Sequence, residues 1–158
     1  MPVIRLQDNI KAPIEVVFDL SRNVDLHKIS TAHTNEEAVA GKTSGLMGLH
    51  DSVTWRAKHL GITQHLTSKI TAYNRPHMFI DEMVSGAFKS FKHEHLFTEV
   101  NGETIMTDIF VYESPLGILG RIADAVFLKT YMHKLLTERN RIIKEFAEDS
   151  DKYKKILP

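Results

Sequence analysis

The start of the chain alternates between apolar and polar side chains, as a β-strand with one buried face does. In the segment from Val3 to Lys11, Ile4 and Ile10 fall on the same side. Two segments with helical spacing follow, from about Pro13 to Leu20 and from Val24 to Ser30, and the initial proline suits the first position of a helix because it lacks an N–H donor. The pattern predicts one strand followed by two short helices.

After a predicted loop from Gly41 to Gly48, the pattern changes to strand-like runs separated by short, turn-forming segments. Short separators join antiparallel neighbours, so these runs predict a meander. The separator Asn101-Gly102 is typical of a two-residue hairpin turn. The predicted strands are Leu49 to His59, Ile62 to Tyr73, His77 to Val84, Phe88 to Val100 and Thr104 to Tyr112.

The last part of the chain predicts a helix of about 30 residues, with Ser114 as its N-cap and Pro115 in its first position. Apolar residues recur there at spacings of three and four, which predicts one buried stripe. We expect a single domain over residues 1–150 and a charged, frayed tail at 151–158. The predicted stripe consists of Leu119, Ile122, Ala123, Val126, Phe127, Met132, Leu136, Ile143 and Phe146.

Composition restricts the class of protein further. The chain has 158 residues, 42% hydrophobic and 25% charged, which suits one globular domain. Its formal net charge of zero argues against nucleic acid as a partner and is compatible with a homo-oligomer. Cysteine is absent, and no run approaches the roughly 18 apolar residues of a membrane-spanning helix. We therefore expect a soluble, unprocessed, cytoplasmic protein with no integral membrane segment.

Four short motifs stand out along the predicted strands and at the start of the long helix: Phe79-Ile80-Asp81-Glu82, Gly86-Ala87-Phe88, Phe91-Lys92-His93-Glu94-His95-Leu96-Phe97 and Pro115-Leu116-Gly117. Together with the order of predicted elements, these motifs resemble the START-like (SRPBCC) superfamily that includes polyketide cyclase-like and coenzyme Q-binding proteins. The resemblance covers nearly the whole chain. It implies an α+β helix-grip fold, in which a curved antiparallel sheet wraps around a long C-terminal helix and encloses a largely apolar cavity.

A two-residue turn at Asn101-Gly102 sets the register of the two strands that it joins. His95 then lies opposite Asp108, and alternate residues of both strands share one face. That face combines aromatic rings with an imidazole and a carboxylate, as a partly polar pocket wall requires. The other predicted pairs on this face are Phe97 with Met106, His93 with Phe110, and Phe91 with Tyr112.

Three interpretations of the His95–Asp108 pair stand side by side. A hydrogen bond that holds the strands together or orients a ligand is the commonest role of such a buried pair. Alternatively, Asp108 orients His95 as a general acid or base for cyclisation, dehydration or hydrolysis. His93, His95 and Asp108 are also chemically suitable ligands for zinc or iron. No spacing motif supports a metal, so we assign neither a metal nor a cofactor.

Other candidates for the cavity wall come from neighbouring elements. Trp55 is expected in the core or the cavity wall, since it shares a strand face with small apolar residues. A three-residue turn at Gly86, after the predicted strand His77 to Val84, would place Asp81 opposite His93. Phe79 and Asp81 would then both point inward. A buried acid needs a partner. The candidate partners on the long helix are Arg121 and Lys129, although a solvated helix face is the more common position for such residues.

Ala123 and Phe127 are predicted to form the floor of the cavity, where the small Ala123 leaves room for a ligand. The resulting hypothesis is a carrier or sensor of a small apolar molecule such as a lipid, a quinone or a polyketide-like aromatic. The enzyme that uses His95 and Asp108 is the alternative. A protein-interaction module is a third, which an exposed apolar patch without a closed cavity would favour.

Overall fold

A computed structural model describes the chain over residues Met1–Pro158. The strands are β1 (Val3–Ile10), β2 (Glu37–Gly41), β3 (Ser52–His59), β4 (Ile62–Asn74), β5 (Met78–Ser85), β6 (Ser90–Val100) and β7 (Glu103–Glu113). The helices are α1 (Ile14–Ser21), α2 (Val24–Ser30), α3 (Gly117–Ala123), α4 (Lys129–Ala147) and α5 (Ser150–Ile156), with a 3₁₀ turn at Ala32–Thr34.

The strands form one antiparallel sheet in the order β1-β7-β6-β5-β4-β3-β2. A π-helical turn, Asp124–Leu128, joins α3 to α4, so that the C-terminal helix is continuous over 31 residues. This curved sheet with its long helix confirms the predicted α+β helix-grip fold. No helix combines the length and the apolar character that crossing a bilayer requires.

The β6–β7 hairpin has the predicted register. Asn101 and Gly102 have φ angles of 52° and 79°, as a two-residue turn of type I′ needs at both positions. Val100 pairs with Glu103, and His95 consequently pairs with Asp108. On the other side of β6, the neighbouring strand brings Asp81 opposite His93, which is also as predicted. Local turn chemistry therefore places these polar side chains on one concave face.

Two elements differ from their sequence prediction near the N-terminus. Pro13 has an extended ψ of 146° and is the N-cap of α1, so the helix begins one residue later than expected. The strand β2 (Glu37–Gly41) was not predicted and ends where the loop was expected to begin. Most of its residues are exposed, so the strand lacks the alternation that marks a half-buried one.

The C-terminal region differs more from its sequence prediction than the N-terminal region does. The helix begins at Gly117 rather than at Pro115, and the Ser114 side chain hydrogen-bonds to Asp124 instead of capping the helix. The tail is not frayed, because α5 begins with Asp149 as a hydrogen-bonded N-cap. Three residues of the tail pack against the main core, namely Tyr153, Ile156 and Leu157. The apolar side of this last helix therefore belongs to the folded domain.

The main hydrophobic core lies under α1 at one end of the sheet. Phe18 of α1 is fully buried and contacts Tyr73, Phe79 and Phe97 edge-on, with ring centroids 5.2–5.6 Å apart. Such aromatic contacts add to the free energy of burial. The core therefore fills part of the concave side, and some of its members, Trp55 and Phe79 among them, also line the cavity described below.

Asp19 of α1 ties this helix to the turn between β4 and β5. Its carboxylate accepts hydrogen bonds from Arg75 and Arg22, each with a shortest N···O distance of 2.7 Å. Burial alone would raise the pKa of Asp19, but these hydrogen bonds outweigh burial and hold the pKa below its usual value. The ionised carboxylate is therefore the form that stabilises the fold.

We expect Asp19→Asn to lower the free energy of unfolding at neutral pH, and this deficit to shrink as the pH falls. A carboxyl group whose pKa is depressed by folding stabilises the native state above its unfolded pKa of about 3.9, and this contribution is lost as the pH falls through the folded value. Urea unfolding of both proteins over an acid pH series measures the deficit. A deficit independent of pH would contradict the assignment.

Candidate functional site

A cavity of about 350 Å³ lies between the concave face of the sheet and the long helix. This volume is within the range of roughly 300–1,000 Å³ that is typical of small-molecule sites. Apolar and aromatic side chains make up most of the wall. The predicted site residues that line the cavity are Trp55, Phe79, Asp81, Phe91, His93, His95 and Phe110.

A network of hydrogen bonds and close polar contacts forms one part of this wall. The Nε2 atom of His93 donates to Oδ1 of Asp108 at 3.0 Å, and Nδ1 of His95 lies 3.0 Å from the same oxygen. On its other side, Nε2 of His95 donates to Oδ1 of Asp81 at 2.7 Å. The imidazole of His95 stacks on Phe79 at a centroid distance of 4.1 Å and meets the tilted ring of His93 at 3.8 Å. Stacking and hydrogen bonding together fix its orientation.

Two residues of α4 complete the network behind the histidines. Asn140 donates through Nδ2 to Oδ2 of Asp108 at 2.7 Å, and Nη1 of Arg139 lies 3.4 Å from Oδ1. Arg139 also donates to Oδ1 of Asn140 and to the backbone oxygen of Ser21. Asp108 is therefore the buried centre of a network that joins α1, β6 and α4.

The electrostatics of this network follow from burial and from the groups that offset it. Burial and repulsion by His95 lower the pKa of His93 to about 4, so this imidazole is neutral at neutral pH. Burial would raise the pKa of Asp108, but Arg139 and the two histidines hold it well below its usual value. Burial would raise the pKa of Asp81 as well, but His95, His93 and Arg139 together outweigh burial and lower it. Both acids are therefore ionised.

These contacts determine which nitrogen atoms are available to a molecule in the cavity. Both nitrogens of His95 face carboxylates, Asp81 on one side and Asp108 on the other. His93 is different, because its Nε2–H donates to Asp108 and the neutral ring keeps a lone pair on Nδ1. That Nδ1 atom lies 4.0 Å from Oδ1 of Asp81, so two electron-pair donors face each other.

A second polar group lies elsewhere on the cavity wall. His27 contacts Trp55 with its ring tilted by 43° at a centroid distance of 4.4 Å, and it hydrogen-bonds to Glu36 at 2.9 Å. Burial alone would raise the pKa of Glu36, but His27, with smaller contributions from His59 and Thr31, outweighs burial and lowers the pKa. His59 bonds to the hydroxyl of Tyr131 at 2.8 Å and so links β3 to α4. The sequence offered no partner for either histidine, since each pairs with a distant or irregular segment.

Four predicted site residues do not line the cavity: Asp108, Tyr112, Ala123 and Phe127. Asp108 and Tyr112 are buried on the predicted face, but Asp108 lies behind the histidines and Tyr112 donates to Asp124 instead. Ala123 and Phe127 were predicted to form the floor, and this is wrong, because their part of the helix points largely into solvent.

The exposed part of the helix forms an apolar surface at residues 116–127. Gly120 packs against the backbone of Pro115, and Asp124 is tied by Tyr112 and Ser114, so polar and backbone contacts hold this segment rather than its apolar side chains. The predicted burial of this half of the stripe is therefore wrong. Its exposed large side chains are Leu116, Ile118, Leu119, Ile122, Val126 and Phe127.

The buried cation of the site is Arg139, which pairs with Asp108. Arg121 and Lys129, the candidate partners, are exposed on the solvated face of the helix, which is the position that the sequence favoured for both. The position of Arg139 in the sequence could have indicated its burial. At helical spacing it shares one buried face of α4 with Leu136, Asn140 and Ile143. A charged residue on an otherwise apolar stripe indicates a buried ion pair.

The fold is found in several solved structures, although no protein-family model and no curated protein sequence matches the chain. The crystal structure of the protein TTHA0849 from Thermus thermophilus has a TM-score of 0.74 at 18% identity, covering 91% of this chain and 95% of that one. Ginseng major latex-like protein 151 from Panax ginseng has a TM-score of 0.68 at 17% identity, covering 94% and 98%.

Protein CV1439 from Chromobacterium violaceum is similar as well, with a TM-score of 0.68 at 8% identity, covering 93% of this chain and 97% of that one. Identities this low establish the three-dimensional arrangement and leave the chemistry open. The arrangement agrees with the resemblance seen in the sequence motifs. The chain has the helix-grip fold of the START-like (SRPBCC) proteins.

Proposed function

We propose that this protein binds one small apolar molecule in the cavity between the sheet and α4, as a carrier or sensor. The observation that carries the proposal is a largely apolar cavity of about 350 Å³ with two polar clusters on its wall. Sites of this kind bind their ligand through apolar contact and orient it with a few polar groups. The ligand class that fits is a lipid fragment, a quinone or a polyketide-like aromatic.

The aromatic rings along β5, β6 and β7 support a ligand with a flat or unsaturated part. Phe79, Phe91 and Phe110 all line the cavity, and Phe91 and Phe110 lie 5.3 Å apart at their centroids. Offset contact with such rings is favourable for another π-system. The guanidinium of Arg139 supplies a donor for a carbonyl group on the same ligand, and Nδ1 of His93 supplies an acceptor for a hydroxyl group.

The enzymatic alternative has less support. A general acid or base must reach the reacting atom with one of its own nitrogens. Both nitrogens of His95 are occupied by Asp81 and Asp108. A catalytic role for His95 would predict that His95→Gln abolishes turnover while ligand affinity is nearly unchanged, whereas a binding role predicts no product at all.

The interaction-module alternative has one observation in its favour, the apolar surface at residues 116–127. Ile118 and Val126 are 74% and 70% exposed there. An exposed patch of this kind is typical of a contact surface. It does not explain the buried polar clusters that line the cavity, so we treat it as a competing location for apolar molecules and include it in the test.

We expect Ala57→Phe to weaken the binding of an anilinonaphthalene sulfonate dye by at least about tenfold, a loss of roughly 1.4 kcal/mol. Ala57 is buried in the middle of β3 and lines the cavity, so a phenyl ring there occupies space that the dye needs. Fluorescence titration measures the dissociation constant. The matched control is Lys58→Phe, because Lys58 is the next residue on β3 and is exposed on the opposite face.

A second variant distinguishes the cavity from the exposed surface. Ile118→Ser removes an apolar side chain from the 116–127 surface without touching the cavity. If the dye binds in the cavity, Ile118→Ser and Lys58→Phe leave the dissociation constant unchanged. A dye that is lost from Ile118→Ser and retained by Ala57→Phe would overturn the proposal in favour of an interaction surface.

A further inference from the structure

Three potential metal ligands converge on the cavity wall from two neighbouring strands. Asp81 pairs with His93 across β5 and β6, and Phe79 pairs with His95, so alternate residues of both strands point inward. One oxygen of Asp81 and one nitrogen of each histidine lie within 4.8 Å of one another. We propose that Asp81, His93 and His95 bind a divalent first-row transition-metal ion, such as Zn²⁺ or Fe²⁺.

The donor set and its spacing suit such an ion. Two imidazoles and one carboxylate bind zinc and non-haem iron in many proteins and leave at least one coordination position open. With bonds of about 2.1 Å, neighbouring ligand atoms lie roughly 3.0 to 3.4 Å apart. Here Oδ1 of Asp81 lies 2.7 Å from Nε2 of His95 and 4.0 Å from Nδ1 of His93. Small side-chain rotations suffice to equalise these distances.

Asp108 supports the ligands from the opposite side. Its Oδ1 atom lies 3.0 Å from Nε2 of His93 and 3.0 Å from Nδ1 of His95. When the ion is bound, both of these nitrogens carry protons that point at Asp108, and Nδ1 of His93 and Nε2 of His95 face the ion beside Asp81. A carboxylate that accepts from the far nitrogen of a metal-binding histidine fixes its tautomer and orientation. Asp108, a candidate ligand from the sequence, is therefore a positioning residue.

The charges of the cluster also favour a cation. Asp81 and Asp108 carry two negative charges, and Arg139 is the one basic side chain in contact with them. Because an imidazole that binds a metal is neutral, the two carboxylates and the guanidinium give the ligand cluster a net negative charge, which attracts a cation in a region of low dielectric. Arg139 contacts Asp108 and the Nδ1 side of His95, so it lies on the side away from Asp81. The guanidinium therefore does not occupy the position of the ion.

Calorimetric titration with Zn²⁺ alone tests the site in the full chain, after removal of bound metal with a chelator. We expect saturable binding of one ion, and visible absorption of a low-coordinate complex when Co²⁺ is used instead. Asp81→Asn keeps the shape of the side chain and removes its charge, and we expect it to weaken Zn²⁺ binding at least tenfold. His93→Gln should weaken Zn²⁺ binding to a similar extent, because it removes another of the three proposed metal ligands.

The control is His133→Gln, which removes an exposed histidine of α4 outside the cluster. Circular dichroism and thermal unfolding establish that each variant is folded. Equal weakening by His133→Gln and Asp81→Asn would show surface binding only, and the absence of saturable binding in the unaltered protein would overturn the proposal. The titration contains no apolar ligand, so its result is independent of whether the cavity binds one.

Discussion

Replacing Arg139 with methionine is expected to destabilise the protein by about 3–5 kcal/mol, the usual cost of leaving a buried charge without its partner. The guanidinium is almost fully buried, lies 3.4 Å from Asp108 and donates to Asn140 and to the backbone of Ser21. Methionine fills a similar volume, so packing is retained while the positive charge is lost. Urea unfolding at neutral pH measures the loss.

Arg141→Met is the matched control for this variant, since Arg141 lies two residues further along α4 and is 57% exposed in its side chain. Its contacts with Glu138 and Glu145 are surface ion pairs, each worth about 0.2–1 kcal/mol. Adding Asp108→Asn to Arg139→Met should restore part of the stability, because it removes the unpaired charge. If Arg139→Met costs no more than Arg141→Met, Asp108 is not buried against this arginine.

Phe18→Ala should also destabilise the protein by about 3–5 kcal/mol, as expected when a fully buried phenyl ring is removed from a packed core. The ring is enclosed by Tyr73, Phe79 and Phe97, all of which it meets edge-on. None of these neighbours can move far, because each belongs to a hydrogen-bonded strand of the sheet. The cavity created by the substitution therefore remains open, and urea unfolding measures its cost.

Phe88→Ala is the comparison for Phe18→Ala, because Phe88 is only partly buried and lines the existing cavity. Its ring contacts Phe91 and Phe110 on one side and faces open space on the other. A side chain with fewer packed neighbours loses less on truncation, so we expect a cost at least about 1 kcal/mol smaller. Equal costs would indicate that the cavity collapses around Phe88 in solution.

The sheet could be predicted from the sequence because its information is local. Asn101-Gly102 specifies the hairpin turn, and once the turn is known every pair along β6 and β7 follows, including His95 with Asp108. The same alternation gave the inward face of β5 with Phe79 and Asp81. β2 was missed because its side chains are mostly exposed, so a pattern based on burial has nothing to detect.

The helix side of the site could be predicted only in part. Apolar residues at helical spacing indicate an apolar stripe along the helix. The spacing does not show which part of the stripe packs against the sheet, and Ile122 and Phe127 lie in the part that is exposed. The partner of Asp108 depends on how α4 crosses the sheet, which places Arg139 rather than Arg121 beside it. The interaction of His95 with Asp81 depends on the third strand and required the full register of β5 and β6.

A crystal structure of the protein with the anilinonaphthalene sulfonate dye bound decides between cavity binding and surface binding. We expect electron density for one dye molecule between the sheet and α4, in contact with Trp55, Phe110 or both. Density against the exposed side chains of residues 116–127, with the space between sheet and helix empty, would contradict binding in the cavity and identify that helix surface as the binding site.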